Sequence, residues 1–291
     1  MEIYELRYFI AVAQVENVNQ AAKNIAISAG SLSKAIARLE EELQTPLFYR
    51  VGRGIKLTPA GLALKTKATA LVESAEDLIF SIKAKSSSEL SIYISSEEIL
   101  QPTFGFEISK KIHKVFPEAK VHFYLREELK AIEQIKSREA HLAIISGPSP
   151  KNCDSKNLNE VQFQTCSGKN HPLFKKYGTN KPIPVAEVLQ HPFALPDRQV
   201  LGAVPEASNL DGWRDDKFPR KVKYKVSSLK ILEKLVRTGS ALAYLPHHFI
   251  EDNSLSTLKV KGCPYSCRQK IKIICKKDHN LSWLTQLWDK L

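Results

Sequence analysis

The stretch that most restricts this chain is one helix-length segment, residues 29–43, whose two faces have opposite needs. Leu32, Ile36, Leu39 and Leu43 recur at helical spacing, so that stripe must be buried. The other face carries Gly30, Ser33, Lys34, Ala37 and Arg38, small at its start, basic further along, with no carboxylate before Glu40. A helix entering the major groove of DNA needs such a face: little bulk in its first turn, then donors for phosphates and base edges. Many surface helices look similar, so the flanking residues decide.

Upstream, Leu6, Phe9, Ile10 and Ala13 mark an amphipathic helix over 6–15. Asn19 reads as the N-cap of a short helix over 20–26 with Ala21, Ala22 and Ile25 inward, and Ser28 as the cap of the third. Downstream, Pro46 breaks the helix, residues 47–51 read as a strand, Gly52-Arg53-Gly54 as a turn, and residues 55–57 as the returning strand. Three helices and a hairpin make a winged helix-turn-helix, with Arg53 able to reach phosphate or a minor groove.

Charge agrees locally rather than globally. The formal net charge is +12, yet the first ninety residues hold eleven bases and ten acids, so nearly all the surplus lies beyond them. Within the first part, residues 17–39 (Lys23, Lys34, Arg38) and 43–72 (Arg50, Arg53, Lys56, Lys65, Lys67) contain bases and no acid. Glu40, Glu41 and Glu42 lie between these windows.

The motifs Leu6-Arg7-Tyr8-Phe9, Gln20-Ala21-Ala22, Ser28-x-x-Ser31-Leu32-Ser33, Ile36-x-x-Leu39-Glu40, Pro46-Leu47-Phe48-x-Arg50 and Leu57-Thr58-x-Ala60-Gly61 stand in one order and spacing. Over residues 1–65 the chain thereby resembles the N-terminal domain of LysR-type transcriptional regulators. The resemblance implies that Ser33, Lys34 and Arg53 touch DNA. The wider candidate DNA-facing set is Asn19, Ser28, Gly30, Ser31, Ser33, Lys34, Arg38, Arg50, Arg53 and Lys56. There are departures from the family's pattern: Ala29-Gly30 replaces its usual Gln-Pro, Val18 its aromatic before the second helix, and Gln44 its glycine after the third. Loss of the Gln removes a bidentate base reader, so altered base specificity is expected.

Thr58-Pro59 reads as cap and first residue of a long helix to about residue 85. Leu64, Ala68, Leu71, Ala75, Leu78 and Ile82 alternate spacings of four and three, a heptad seam of nearly three repeats. A seam that pairs two copies is expected, because one helix-turn-helix reads too few bases, although one amphipathic helix lying on its own core fits too. Ser86-Ser87-Ser88 reads as a hinge.

From residue 90 strand and helix signals alternate, with strands expected at 90–95, 120–125, 142–145, 193–195, 241–246 and 270–275. The pattern reads as an α/β lobe with a mainly parallel sheet, a second lobe, and a return to the first. It resembles the bilobed effector domain of the same family, like a type 2 periplasmic-binding protein. The expected fold is thus multi-domain: an all-α winged helix-turn-helix domain (1–58), a linker helix and hinge (59–88), and a bilobed α/β effector domain (89–291). Lobe I would take about 89–160 and 265–291, lobe II about 161–264.

Ligands in such folds sit between lobes near strand ends. Ser95, Ser96, Gln101, Ser146, Gly147, Pro196, Arg198 and Ser227 are the candidate effector residues, with hydroxyls and amides gripping a carboxylate and Arg198 opposing its charge. The basic surplus of this region hints at an anionic effector. The reading is then a DNA-binding regulator modulated by a small molecule, with double-stranded DNA, a second copy in a homodimer or homotetramer, and RNA polymerase (if it activates) as partners. An architectural DNA binder without sensing is the alternative, and a solute-binding or transferase-like protein a lesser one.

Catalytic chemistry is not expected: there is no Gly-Lys-Ser/Thr phosphate loop, Gly-x-Ser-x-Gly elbow or His-Glu-x-x-His pair. No cofactor or metal is expected either, since Cys263, Cys267 and Cys275 lack the usual zinc spacing. Cys166, near Lys169 and His171, is the one mild candidate for redox sensing, and His247-His248 reads as surface or cap chemistry. Five cysteines, no signal-like N-terminus and no long apolar run fit the cytoplasm and no membrane partner.

Overall fold

A computed structural model of the chain describes residues 1–52, 54–83, 90–201, 210–263, 266–277, 279 and 281–291, with 79–83 by backbone only. The first core forms where α1 (Ile3–Val15), α2 (Val18–Asn24) and α3 (Ala29–Glu42) converge. Leu6, Phe9, Val12, Ala21, Ala22, Leu32, Ile36 and Leu39 fill it. The stripe ends one turn earlier than its spacing suggests, because Leu43 is exposed as the C-cap of α3. A second correction concerns capping: Asn17, not Asn19, starts α2, its Oδ1 accepting from the Gln20 amide at 3.0 Å. Ser28 caps α3 as expected, its Oγ accepting from the Ser31 amide at 3.0 Å.

Strands β1 (Phe48–Val51) and β2 (Gly54–Leu57) pair antiparallel, Arg50 opposite Ile55, and form the wing. Glu40 ties the wing to α3: its Oε1 accepts from the amides of Leu47 (2.6 Å) and Phe48 (3.1 Å). That contact gives one member of the acidic run a structural role.

Helix α4 (Pro59–Lys83) starts as its sequence suggests, the Thr58 hydroxyl accepting from the Gly61 amide at 3.0 Å. Its apolar residues divide between two directions. Ala68 and Val72 are buried in the first core, against α1 and its neighbours, and Leu64 packs partly there. Leu71 and Leu78 point away and stay 47% and 60% exposed. The expected seam therefore splits, since a straight 3.6-residue helix rotates a seven-residue pattern across more than one face. Ala75 lies half-buried between, and the side chain of Ile82 and the serines of the expected hinge fall outside the described residues.

Beyond it come β3 (Ser91–Ser96), α5 (Phe106–Val115), β4 (Lys120–Leu125), α6 (Glu128–Lys136), β5 (Leu142–Ile145) and β6 (Cys153–Ser167). Next are α7 (Pro172–Tyr177), β7 (Ile183–Pro184), α8 (Val185–Val188), β8 (Pro192–Pro196), β9 (Lys221–Val226) and α9 (Leu229–Arg237). The chain closes with β10 (Ala243–Pro246), α10 (His247–Asp252), β11 (Ser256–Thr257), β12 (Val260–Lys261), β13 (Arg268–Lys276) and α11 (Ser282–Trp288).

One curled sheet runs β10-β6-β13-β5-β3-β4, with β11 on β6. Strands β3, β4 and β5 are parallel, but β13 runs antiparallel to both β5 and β6. The sheet is thus mixed rather than mainly parallel. The long β6 carries the chain past residue 160, the expected lobe boundary, without a break, and β13 returns alongside it. The second lobe adds the parallel pair β8–β9. Leu142, Ile144, Val161, Ala243, Ile271 and Ile273 share one continuous apolar cluster, so the lobes are joined by core as well as by strand.

Helix α4 also docks on this domain. Arg138 bonds Glu73 at 3.1 Å, Lys65 bonds Glu139 at 2.6 Å, and Asp77 accepts from the Ser282 amide (3.0 Å) and hydroxyl (2.8 Å) at the start of α11. Among the described residues no helix is long and apolar enough to cross a membrane.

Candidate nucleic-acid interface and effector cleft

The outer face of α3 presents Gly30, Ser31, Ser33 and Lys34 to solvent, with Ser28 at its cap. Ser28 and Ser31 hydroxyls lie 2.8 Å apart. Lys34 and Arg50 are exposed and carry no ion pair to any described residue. Arg38 is different: its Nε donates to Glu5 at 2.9 Å, and its terminal nitrogen reaches Glu5 and Tyr4. The Glu2 backbone and Arg38 together hold the buried Glu5 carboxyl below its ordinary range. Lys56 likewise bonds Glu16. Asn19 is exposed on α2, and Arg53 lies outside the described residues. The unengaged donors thus gather at the N-terminal half of α3 and on β1. The cations at Arg38 and Lys56 already have carboxylate partners.

Gly30 has no packing role within the chain, because a Cβ there would meet only the Ser28 hydroxyl at 3.9 Å. Gln44 shows the opposite situation. It holds φ +50° where the family pattern has glycine, and its Nε2 donates to the Glu41 carbonyl at 2.7 Å. The left-handed turn survives without glycine, at a cost of about 1 kcal/mol.

Between the lobes lies a cavity of about 460 Å³, lined by the turn after β3, the end of β4 and the turn after it, the start of α6, and the ends of β8 and β9 with the residues that follow them. Pro196, Arg198 and Ser227 are in its wall, as the sequence suggests. Ser95, Ser96, Gln101, Ser146 and Gly147 are not among its lining residues. Ser95 is buried behind the strand end, donating to Gln134 at 2.8 Å. Gln101 donates to the Tyr124 carbonyl at 3.2 Å and so joins β3 to β4. The amides of Ser146 and Gly147 and the Ser146 hydroxyl form the expected carboxylate grip, but around Glu128 of the same chain, at 2.7, 3.1 and 3.0 Å.

Glu97, at the end of the first expected strand of this domain, lines the cavity, and sequence reading missed Glu98, Arg126, Glu127 and Lys130, which line it too. Charged residues just after a strand end were the available signal. The lining balances three acids against three bases, so the basic surplus of this domain does not concentrate here. Arg198 reaches across to Glu98 at 3.1 Å, one ion pair spanning the opening. Glu97 is 9% exposed, and burial beside Glu128 raises its carboxyl to about 8.

Other candidates settle into the fold. Burial drives the Cys166 thiol far up, which removes it as a redox sensor. His248 is core rather than surface, its ring nitrogen 3.1 Å from the Ile99 carbonyl. Asp154, Cys275 and His279 bring one potential metal-ligating atom each within 4.8 Å of one another, though burial raises the Cys275 thiol to about 12.

Residues 3–62 match the family model for the bacterial regulatory helix-turn-helix protein of the lysR family, and residues 88–288 the LysR substrate binding domain. The transcriptional dual regulator GltC of Bacillus subtilis is 29% identical over 97% of this chain and 93% of its own. A full-length OxyR variant of Pseudomonas aeruginosa superposes with a TM-score of 0.68 at 20% identity, over 100% of this chain and 94% of that one. Full-length CbnR complexed with its target DNA superposes at 0.63 and 17% identity, over 100% and 98%. These two are likenesses of fold. The family models and the full-length relative carry the conclusion that the chain belongs to the LysR family, as a DNA-binding transcriptional regulator with an effector-binding domain and not an enzyme.

Proposed function

We propose that the chain reads DNA as a homodimer through the N-terminal half of α3 and the wing, and that a small molecule between the lobes resets the paired heads. The observation that carries this reading is the carboxylate-free outer face of α3, where Gly30, Ser31, Ser33 and Lys34 stand exposed, with no described partner beyond that helix and its cap. Arg50 and Arg53 extend the same donors along the wing to the phosphates. Two heads are joined through the exposed Leu71 and Leu78 of α4, with Ala75 between them, so that they occupy half-sites about one helical turn apart. Pairing of dimers into tetramers and contact with RNA polymerase at activated promoters extend the reading, all in the cytoplasm. The effector acts by binding the closed and open lobes with different affinity, which is the sole way a ligand shifts such an equilibrium.

Footprinting of the full-length protein on DNA upstream of its own gene, with a salt titration, tests the reading. Two protected half-sites on one face, lost in Ser33→Ala/Lys34→Ala/Arg53→Ala with the fold intact, are expected. Sequence-indifferent binding with a steep salt dependence, on this and every other genomic region, would replace it with an architectural role.

A further inference from the structure

The effector cleft contains an acid with an unmet requirement. Glu97 follows the last residue of β3 and lines the cavity, yet is nine-tenths buried. The nearby Glu128 backbone partly favours its charged form, but Oε2 is buried and meets no donor among the described residues. Leaving a buried acceptor unsatisfied is costly, more so when it is charged.

Among the described residues, no neighbouring cation fills the gap. Glu127 and Glu128 both push the Glu97 carboxyl upward, and Arg198, the base that opposes them, is drawn to Glu98. Lys130, two residues after Glu128 on α6, also lines the cavity, is exposed and forms no ion pair with a described residue. Arg126 lies over the Tyr124 ring at 5.6 Å with its Nη1 donating to the Leu125 carbonyl. The cavity wall therefore holds both a donor-hungry acid and a cation without a described carboxylate partner. A volume of about 460 Å³ admits a molecule of amino-acid size.

We propose that the effector is an amino-acid-like zwitterion whose protonated amino group seats on Oε2 of Glu97 and whose carboxylate faces Lys130. The assignment rests on the cleft reading above and narrows it. The basic surplus of the domain, taken alone, points to an anion. A plain carboxylate pairs with Oε2 only while Glu97 stays protonated, and stands among Glu97, Glu98 and Glu127, whereas an ammonium makes a charge-assisted hydrogen bond there.

Proton linkage follows. With the cleft empty, Glu97 is largely protonated at neutral pH, its carboxyl raised to about 8. An arriving ammonium favours the carboxylate form, so binding releases a proton and tightens as pH rises towards 8. A plain carboxylate hydrogen-bonded to protonated Glu97 would behave oppositely and weaken above that pH.

The test uses the full-length protein, the twenty L-amino acids, and for each its des-amino carboxylic acid, by thermal shift and then calorimetry in buffers of different ionisation enthalpy. An amino acid should bind at least tenfold more tightly than its des-amino acid. It should release a proton at pH 7 and gain affinity several-fold between pH 6.5 and 8. In Glu97→Gln, checked by circular dichroism, both the preference and the proton release should vanish. Equal binding of the des-amino acid, full affinity in folded Glu97→Gln, or no binding by any amino acid overturns the inference. Ser227→Trp separates the two levels. It fills the cleft wall, so amino-acid binding that survives it would overturn the cleft reading itself.

Discussion

Single residues set what each surface can touch. Gly30 lies in the first turn of α3 and touches little inside the protein. Its bareness therefore makes physical sense only toward something outside. In Gly30→Ala the helix should gain about 0.5–1 kcal/mol, by the usual glycine penalty, while affinity for the operator falls. Denaturant melts and DNA titrations on the same preparation check the two together, and a variant that binds DNA unchanged would make Gly30 incidental. Glu97 acts through protonation. Its folded carboxyl is raised to about 8, and that of Glu73 to about 7, so both hold protons in the folded state that the unfolded chain has lost. Stability is then fully present below the unfolded value near 4.5 and declines as pH rises through the folded values. His141, His171 and His248 are lowered to about 4 and act in the other sense, below about 6.5. Between pH 6.5 and 8 the two acids act alone among these groups. The melting temperature of the ligand-free protein should fall across that window, and Glu97→Gln should flatten the slope.

At the scale of elements, α4 shows how one helix serves two partners. Gly61 sits where the helix leaves the wing, and a Cβ there would lie 2.2 Å from the Leu47 carbonyl oxygen and 2.8 Å from Leu57 Cδ2. Backbone cannot yield as a side chain can, so Gly61→Ala should destabilise the N-terminal domain by about 1–3 kcal/mol, measured by urea unfolding. The motif Leu57-Thr58-x-Ala60-Gly61 was plain in the sequence, but the reason for its glycine is this crossing. The heptad spacing was equally plain, yet spacing cannot tell which apolar residues a neighbour in the same chain will take. Ala68 and Val72 went to the first core, leaving Leu71 and Leu78 outward. Leu71→Glu/Leu78→Glu should therefore leave the fold intact, shift sedimentation to monomer, and weaken operator binding at least tenfold. A dimer that persists would place the pairing elsewhere.

The whole molecule is held together where α4 lies on the effector domain. Arg138 reaches Glu73 at 3.1 Å, with His141 Nε2 3.7 Å from the same carboxyl, and Trp283 meets the His141 ring edge-on at 5.0 Å. This junction connects the helix-turn-helix domain with the effector-binding domain. Arg138→Ala strands a largely buried acid and should cost about 2–3 kcal/mol at pH 8, somewhat less than a fully buried pair. The loss should shrink at pH 6, where Glu73 takes up a proton. Hydrogen exchange of α4 and α11 at both pH values gives the measurement, and equal protection with and without Arg138 would show that the junction bears no such strain.

What the amino-acid order by itself determined was local and periodic. The three N-terminal helices, the caps at Ser28 and Thr58, the wing and most strands of the effector domain follow from patterns within a few residues, where propensity, capping and apolar spacing agree. The proposed DNA-facing surface of α3 belongs to this class, because its carboxylate-free run lies on one helix. What only the tertiary structure decided depends on partners far away in sequence. Arg38 and Lys56 looked like DNA-facing cations until Glu5 and Glu16 met them across the fold. Ser146 and Gly147 looked like an open carboxylate grip until Glu128 entered it. The polar first half of β6 carries no strand alternation of its own and exists because β13 supplies its hydrogen bonds. Glu97 became a candidate effector contact through burial, a property of the assembled cleft that no run of neighbouring residues encodes.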